Sequence, residues 1–453
     1  MAGSITGVKR PVRQLFAGAV SHFVEFYDFI VYSYVAIYFA KEFFPSSGSE
    51  LAPLLDAFGV FAAGFLVRPI AGLVVGVFAD RYGRRAAMSL SVWMMGAASL
   101  LIALTPTYAQ IGIGAPIMLV FARILQGFSA GGEYTSAAAF LVESAPENRR
   151  GLFSSFMFVS SSLGKLAAIG LVAAVAGILG DEAMRSYGWR IPFAFGAVVA
   201  VVAWWIRHRS EETLASTAAS STQEQPSKPG LLEALRRHPV QCIQVFGLVT
   251  GIGGSVYLWS TYFPTYAAIS AHIRPSATMI AGMIGLVVYT AVTPLVGLLA
   301  DRVGTRPVLY IFAISTAIAT VPLLQLTSAG FGGVLAAQII GLVLVSFGTS
   351  IMAAVLVQLF PQRFRVTGMG VPYSLSIAIF GGTVSTIGTA LANAGAEIWF
   401  GWYMAGLSVI TLVTTLSLRG NRRRDVPEDG QAHVADDRKA PAETGNTRPS
   451  EVG

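Results

Sequence analysis

A single lysine in the middle of a long apolar stretch is the residue best placed to bind an anion inside this protein. Lys165 lies within residues 151–180, which carry no other charge. An ionised side chain at the centre of a bilayer costs about 3 kcal/mol or more unless it is paired. Lys165 therefore predicts a buried anionic partner, which is either an anionic solute or a protein carboxylate in a fixed salt bridge. We place Lys165 first among the candidate substrate-binding residues.

Two acids in the first apolar stretch are candidates for proton binding. Glu25, Asp28 and Tyr32 are spaced i, i+3 and i+7, so they share one face of a helix. Two acids this close do not both ionise readily, and one of them is expected to hold a proton. We interpret Asp28, and after it Glu25, as proton-coupling residues and Tyr32 as a substrate contact. The alternative is a structural acid that is paired with an arginine of another helix.

A second polar face lies on the fourth apolar stretch. Arg123, Gln126 and Glu133 fall within about 80° of one another around a helix. Arg123 and Glu133 are about 15 Å apart along the axis, so each needs a partner elsewhere. We interpret Arg123 and Gln126 as substrate contacts and Glu133 as a proton-coupling residue, with packing ion pairs as the rival interpretation. The simplest arrangement pairs Arg123 or Lys165 with an acid of the first stretch when the site is empty.

The second half of the chain offers aromatic side chains rather than clearly embedded acids. Tyr257 and Tyr262 lie in the seventh apolar stretch and Tyr373 in the eleventh. Their rings and hydroxyls are suited to line a cavity for a small molecule. Aromatic clusters in membrane helices also occur as packing or as an interface belt. We expect the first half to supply the charged residues of the site and the second half to supply aromatic residues that line the cavity.

Several kinds of chemistry have no motif in this sequence. No G-x-x-x-x-G-K-[ST] segment is present, since Lys165 is followed by Leu166, and ATP-driven transport is therefore not expected. No H-E-x-x-H segment is present, and one cysteine cannot form a metal cluster. We predict no cofactor, no metal site and no enzymatic activity.

Composition places these residues in a membrane protein. The 453 residues are 54% hydrophobic and 12% charged, against about 25% charged residues in soluble domains. About 20 apolar residues cross a bilayer, and the sequence offers twelve such runs. The predicted spans are 16–44, 51–79, 86–104, 112–141, 151–180, 190–207, 240–271, 276–300, 307–326, 331–360, 365–395 and 399–418.

The basic residues predict how the spans are oriented. Most of the 31 lysines and arginines fall in the termini and in every second loop, and such residues concentrate on the cytoplasmic side. The net charge of +7 therefore reflects topology rather than nucleic-acid binding, and both termini are predicted to be cytoplasmic. Residues preceding the first run are basic, and that run is too long for a signal peptide. The predicted divisions are a 1–15 N-terminal segment, a 16–209 bundle, a 210–238 linker, a 239–419 bundle and a disordered 420–453 tail.

A loop motif occurs twice in the sequence. Residues 76–85 read GVFADRYGRR and residues 297–306 read GLLADRVGTR, each between the second and third spans of its half. The repetition predicts two parallel six-helix copies, which place a solute between them near the midplane and rock against each other. An acid among arginines at helix ends is suited to a cytoplasmic gate, although the arginines alone would also serve topology. The predicted gate residues are Asp80, Arg81, Arg84, Arg85, Asp301, Arg302 and Arg306.

The repeated loop, the twelve spans and the polar linker resemble the major facilitator superfamily. Segments 24–29, 68–69, 123–134, 188–193 and 380–383 are similar to its metabolite:proton symporter branch, whose members carry α-ketoglutarate, citrate, shikimate or osmolytes. The resemblance covers nearly all of residues 15–418. Gln358, Ser385 and Lys165 depart from the branch pattern, which leaves the substrate open.

The resemblance implies an all-α fold of twelve transmembrane helices in two pseudo-symmetric six-helix bundles. It also implies alternating access and proton-coupled symport in the inner membrane of a bacterium, with the protein functional as a monomer. Together with Lys165 it favours a small organic anion such as a dicarboxylate, citrate, α-ketoglutarate or a shikimate-like acid. The alternatives are a symporter for a zwitterionic osmolyte such as betaine or proline, and a multidrug efflux antiporter.

Overall fold

A computed structural model describes residues 9–45, 49–82, 84–129, 133–215 and 231–418, and its helices account for all twelve predicted spans. Spans 1 to 6, here called the first half, comprise Lys9–Phe43; Ala52–Leu66 with Arg68–Tyr82; Arg84–Leu104; Gly114–Ser129 with Glu133–Glu143; Arg150–Ala183; and Arg190–Ala215. Spans 7 to 12, the second half, comprise Pro239–Tyr257 through Leu258–Tyr262 to Phe263–Ser270; Pro275–Val303; Thr305–Gln325; Gly330–Gln358; Arg365–Ser376 through Ile377–Gly381 to Val384–Asn393; and Glu397–Ser417.

The described helices have the length and apolar character that a bilayer requires. Eight segments are long and apolar enough to cross a membrane, and one of these, Thr305–Gln358, contains both span 9 and span 10. Spans 3, 4 and 6 contribute the shorter apolar helices Ser89–Leu104, Gly114–Ser129 and Arg190–Val202. The all-α fold with twelve transmembrane helices is therefore confirmed.

The predicted linker and tail are only partly described. The helix of span 6 continues through Ala215, beyond the predicted start of the linker at residue 210. Leu231–Arg237 forms a short helix immediately before span 7. The rest of the predicted linker, 216–230, and the predicted tail 420–453 lie outside the described residues. The predicted division into bundles at these positions stays a prediction.

Two spans of the second half contain a π-helical segment. In span 7 this is Leu258–Tyr262, and Pro264 follows two residues later. In span 11 it is Ile377–Gly381, which precedes Gly382. A π-helical segment leaves some carbonyl groups without a main-chain donor, and proline removes one further donor. Such groups are available to side chains of neighbouring spans.

Glycines bring several pairs of helices into close contact. Gly151 of span 5 lies against Gly297 of span 8, where a Cβ on Gly297 would stand 2.8 Å from the Gly151 carbonyl oxygen. A Cβ on Gly164 would collide with the carbonyl oxygen of Phe23 in span 1. Small residues permit this approach of transmembrane helices. Span 5 is thereby held between span 1 of its own half and span 8 of the other half.

The two halves touch each other at both ends of the spans. We call the end with the start of span 1 and the end of span 12 the terminal face, and the opposite end the distal face. At the distal face the Thr386 hydroxyl donates to the Phe58 carbonyl oxygen at 2.9 Å. At the terminal face Arg365 and Glu143 form an ion pair at 2.8 Å. Among the described residues the two halves are therefore in contact at both faces.

Candidate substrate and proton site

Lys165 lies at the junction of the two halves. Its side chain is 2% exposed, and its Nζ donates a hydrogen bond to Ser260 Oγ in span 7 at 2.9 Å. The amine also lies 5.4 Å from the ring centroid of Phe26 and 5.7 Å from that of Tyr257. The close approach of spans 1 and 5 at Gly164 brings the lysine to this position. Its described contacts are a neutral hydroxyl and two aromatic rings, and it also interacts electrostatically with His22 of span 1.

Asp28 lies inside the first half, away from the junction. Its carboxylate accepts a hydrogen bond from Gln126 Nε2 at 3.0 Å and a short one from the Ser99 hydroxyl. A Cβ on Gly196 of span 6 would stand 2.6 Å from its Oδ1, so glycine there makes room for the carboxylate. Spans 1, 3, 4 and 6 therefore enclose this acid together.

Gln126 connects Asp28 to Arg123. Its Oε1 accepts a hydrogen bond from Arg123 NH1 at 2.5 Å, while its Nε2 donates to Asp28. Arg123 NH1 also donates to the Phe29 carbonyl oxygen at 3.1 Å. Among the described residues, Arg123 Nε and NH2 have no hydrogen-bond partner. An acid and a guanidinium are thus held in one network by a neutral amide between them.

Aromatic rings surround the Arg123 guanidinium. Its Cζ lies 4.1 Å from the ring centroid of Phe29, 4.7 Å from that of Tyr32 and 4.8 Å from that of Phe61. Ring faces attract cations, and the attraction is stronger in desolvated sites. The Tyr32 hydroxyl itself donates to the Ala57 carbonyl oxygen of span 2 at 3.1 Å. The structure therefore directs Tyr32 into the first half.

Glu25 and Asp28 face different surroundings. Glu25 is 8% exposed and interacts electrostatically with Tyr257 and Tyr373 of the second half. Arg68 of span 2 hydrogen-bonds to Tyr257, and its Cζ lies 4.0 Å from the ring centroid of Phe29. Residues three apart on a helix differ by about 60° in direction, which is enough to aim them into neighbouring grooves. Glu25 therefore lies toward tyrosines of the second half, whereas Asp28 lies among spans of the first half.

The aromatic residues of the second half fall into two groups. Tyr257 and Tyr373 face the charged residues of the first half, and Tyr373 stacks on Tyr134 of span 4 with centroids 4.3 Å apart and an angle of 2° between the rings. Tyr262 lies nearer the distal face, where its hydroxyl is 3.0 Å from Thr389 Oγ1. Its ring contacts Phe58 of span 2 at 5.5 Å. Tyr257 and Tyr262 are buried and Tyr373 is half-buried, and all three lie against the first half or beside it.

One copy of the loop motif is described in atomic detail. Asp301 accepts hydrogen bonds from the Gly151 amide at 2.6 Å and from the Leu152 amide at 3.0 Å, at the start of span 5. A carboxylate at a helix N-terminus satisfies free N–H groups and the helix dipole. This contact joins the halves at the terminal face. Arg81 and Arg302 are exposed, Arg306 is half-buried, and the side chains of Asp80, Arg84, Arg85 and Glu133 lie outside the described residues.

Sequence reasoning missed several residues of the junction. Ser260 and Tyr34 make the described polar contacts between spans 7, 5 and 1, yet each is an ordinary residue in an apolar stretch. Tyr134 and Ser99 were likewise not among the candidates. The one available signal was Pro264, because a proline inside a span predicts carbonyl groups that need side-chain donors.

Comparison with known proteins agrees with this architecture. The family model of the Major Facilitator Superfamily matches residues 18–380. The alpha-ketoglutarate permease of Escherichia coli strain K12 is 38% identical over 90% of this chain and 94% of its own. A proline/betaine transporter of Salmonella typhimurium is 31% identical over 93% of this chain and 85% of its own. A structure of the E. coli xylose transporter XylE, partially occluded and inward-open, superimposes with a TM-score of 0.67 at 18% identity, over 89% of this chain and 96% of the other.

Proposed function

We propose, from the premise that this chain belongs to the major facilitator superfamily and its metabolite:proton symporter branch, that it carries a small organic anion together with a proton. It is a multi-pass transporter of the bacterial inner membrane rather than an enzyme. The proposed substrates are carboxylates, of which α-ketoglutarate comes first because the relative of that name is 38% identical.

The observation that carries the proposal is the position of Lys165. A cation that is 2% exposed at the junction of the halves, with a neutral hydroxyl as its hydrogen-bond partner, retains its capacity to bind a carboxylate. A carboxylate adds an opposite full charge to the hydrogen bond, which a hydroxyl cannot do, so it competes well against that hydroxyl. Arg123, Gln126, Tyr32, Tyr257, Tyr262 and Tyr373 remain the proposed further substrate contacts.

Asp28 is the proposed proton-binding residue, with Glu25 and Glu133 as alternatives. Asp28 is fully buried, and Gln126 links it by hydrogen bonds to Arg123. A proton taken up from one side and released to the other would couple transport to the gradient.

The proposed orientation places the terminal face in the cytoplasm, with both chain termini there. The basic residues Arg363 and Arg365 begin span 11 at this face, and arginines of the two loop motifs lie there as well. Excess lysine and arginine marks cytoplasmic loops. The proposed working unit is the monomer, in which the bundles 16–209 and 239–419 rock against each other.

Uptake into proteoliposomes tests the proposed function. The purified protein is reconstituted, a pH gradient is imposed, and uptake of radiolabelled α-ketoglutarate, citrate, shikimate, betaine and a cationic dye is measured. Gradient-driven accumulation of a carboxylate that collapses with a protonophore is the expected result. Dye efflux without carboxylate uptake would establish the efflux antiporter instead.

A zwitterion is the second candidate substrate. The proline/betaine relative is 31% identical, and the stacked pair Tyr134–Tyr373 lies at the junction of the halves. Aromatic faces bind quaternary ammonium groups. Betaine uptake that exceeds carboxylate uptake in the same proteoliposomes would favour this candidate, and replacement of Tyr373 by leucine should then reduce it.

A further inference from the structure

Ser260 of span 7 is bonded to the first half twice. Its hydroxyl accepts a hydrogen bond from Lys165 Nζ at 2.9 Å and donates its own proton to the Val256 carbonyl oxygen at 2.6 Å. Its carbonyl oxygen accepts a hydrogen bond from the Tyr34 hydroxyl of span 1 at 2.5 Å. Three spans from both halves therefore meet at one residue.

Pro264 explains why this carbonyl group is available. In an α-helix the N–H of residue 264 would serve the Ser260 carbonyl, and in a π-helix it would serve that of Trp259. Proline has no N–H, so neither carbonyl receives this bond. Tyr34 takes the Ser260 carbonyl, and Gln338 Nε2 of span 10 takes that of Trp259 at 2.7 Å. Side chains thus replace the main-chain donor that the proline removes.

The Ser260 hydroxyl is well suited to hold an ammonium group. Its proton is committed to Val256, so it offers lone pairs to Lys165. The site is closed, with Ser260 2% exposed and Lys165 equally buried. A buried cation without a partner is costly, and an uncharged acceptor lowers that cost without a fixed negative charge.

We propose that Ser260 substitutes for the substrate carboxylate on Lys165 while the empty transporter reorients. This inference rests on the proposed function, because it assumes that Lys165 binds the anion during loaded transport. A carboxylate is a stronger acceptor than a hydroxyl and displaces Ser260 when substrate is present. When substrate is absent, the halves meet around Lys165 only if the amine finds another acceptor. Ser260 is a positioning residue in this scheme.

The hydrogen bond from Tyr34 to the Ser260 carbonyl couples the position of the Ser260 hydroxyl to the contact between spans 7 and 1. Span 7 closes against span 1 when the Tyr34 hydroxyl reaches the Ser260 carbonyl oxygen, and the same movement carries the Ser260 hydroxyl to Lys165. Closure at the distal side and neutralisation of the cation are therefore one event. A loaded transporter uses the substrate at Lys165 and depends less on the hydroxyl.

Measurements of net uptake and of counterflow distinguish the reorientation of the empty transporter from that of the loaded one. Net uptake requires the empty transporter to return, whereas counterflow of α-ketoglutarate into preloaded proteoliposomes does not. Ser260→Ala should slow net uptake by about 10-fold to 100-fold, the loss expected for a hydrogen bond to a charged group, and counterflow by less than about threefold. Ser260→Thr keeps the hydroxyl and should restore most net uptake. Equal loss of both activities, or of neither, overturns the inference.

The matched control is Ser408→Ala. Ser408 is 1% exposed and donates to the Met404 carbonyl oxygen at 3.2 Å, the same four-residue geometry as Ser260 with Val256, and it lies away from Lys165 in span 12. This variant should change neither activity. Wild-type protein that fails to transport any carboxylate refutes the proposed function rather than the role of Ser260.

A measurement on the empty protein tests the contact without any substrate. Ser260→Ala should lower the thermal unfolding midpoint in detergent by about 2–6 °C, because the buried ammonium loses its acceptor. In a Lys165→Met background the same substitution should have little effect, since no ammonium remains. Equal shifts in both backgrounds would show that the hydroxyl acts only on its own helix, and the proposal would fail.

Discussion

Two polar clusters of this protein differ in how they relate to the halves. Asp28, Gln126 and Arg123 are bonded to one another within the first half. Lys165 and Ser260 are bonded across the junction, one from each half. Both clusters are buried and both contain a cation next to a neutral hydrogen-bonding group. Only the second must break when the halves move apart.

This difference assigns the clusters different tasks in a rocking mechanism. When one bundle moves against the other, contacts within a bundle persist and contacts between bundles are remade. A proton on Asp28 can therefore stay in a constant environment through the cycle, apart from the access of water. The partner of Lys165 must change with each cycle, which is what binding and release of an anion require.

The largest effect is expected from removing the amine at the junction. Lys165→Ala should reduce carboxylate uptake by about 100-fold or more, because the substrate loses a charge-assisted bond in a desolvated site. Uptake and counterflow should fall together in proteoliposomes. Lys41→Ala removes an exposed lysine at the end of span 1 and should leave uptake unchanged. Full activity of Lys165→Ala would move anion binding to another residue.

The second effect concerns the cluster within the first half. Under a gradient of one pH unit, a single coupled proton drives about tenfold accumulation. Asp28→Asn should abolish that accumulation while counterflow persists, because the amide cannot take up and release a proton. The control is Asp181→Asn, at an acid near the end of span 5 whose Oδ1 accepts a hydrogen bond from the Tyr38 hydroxyl at 3.2 Å. This variant should accumulate substrate as the wild type does. Unchanged accumulation in Asp28→Asn would transfer the proton role to Glu25 or Glu133.

The spans and the terminal-face contacts were accessible from the sequence. Apolar runs of about 20 residues follow from bilayer thickness, which is why all twelve spans could be predicted. The repeated loop placed Asp301 at a helix end among arginines, and it indeed binds the start of span 5 at Gly151. These features depend on local composition or on repetition, both of which a sequence displays directly.

The partners of the buried charges were not accessible in the same way. Tyr34 and Ser260 are separated by 226 residues, and their contact depends on how two halves pack. Helical spacing placed Glu25 and Asp28 on one face, but the neighbouring spans divide that face between the junction and the interior of the first half. Periodicity gives the direction of a side chain to within a broad sector, and packing decides which groove it enters.

Removing the amide bridge tests whether the first-half cluster acts as a unit. Gln126→Leu leaves one acceptor on Asp28 and one donor on Arg123 without this partner, and each such buried group costs about 1–3 kcal/mol. The unfolding midpoint in detergent should fall accordingly. In an Asp28→Asn background, Gln126→Leu should lower the unfolding midpoint by less, because the carboxylate that Gln126 bonds is already replaced. Fully additive shifts would show that the cluster is not coupled through Gln126.

The smallest effect is expected from the bond between Tyr34 and the Ser260 carbonyl. Tyr34→Phe removes one hydroxyl and should slow net uptake by about threefold to tenfold, as for loss of a neutral hydrogen bond. Pro264→Ala restores an N–H that can serve the same carbonyl within span 7, so Tyr34→Phe should cost less in that background. Net uptake of the wild type, both single variants and the double variant measures this coupling. An equal cost in both backgrounds would mean that Pro264 does not free the carbonyl for Tyr34, and that the junction closes by packing alone.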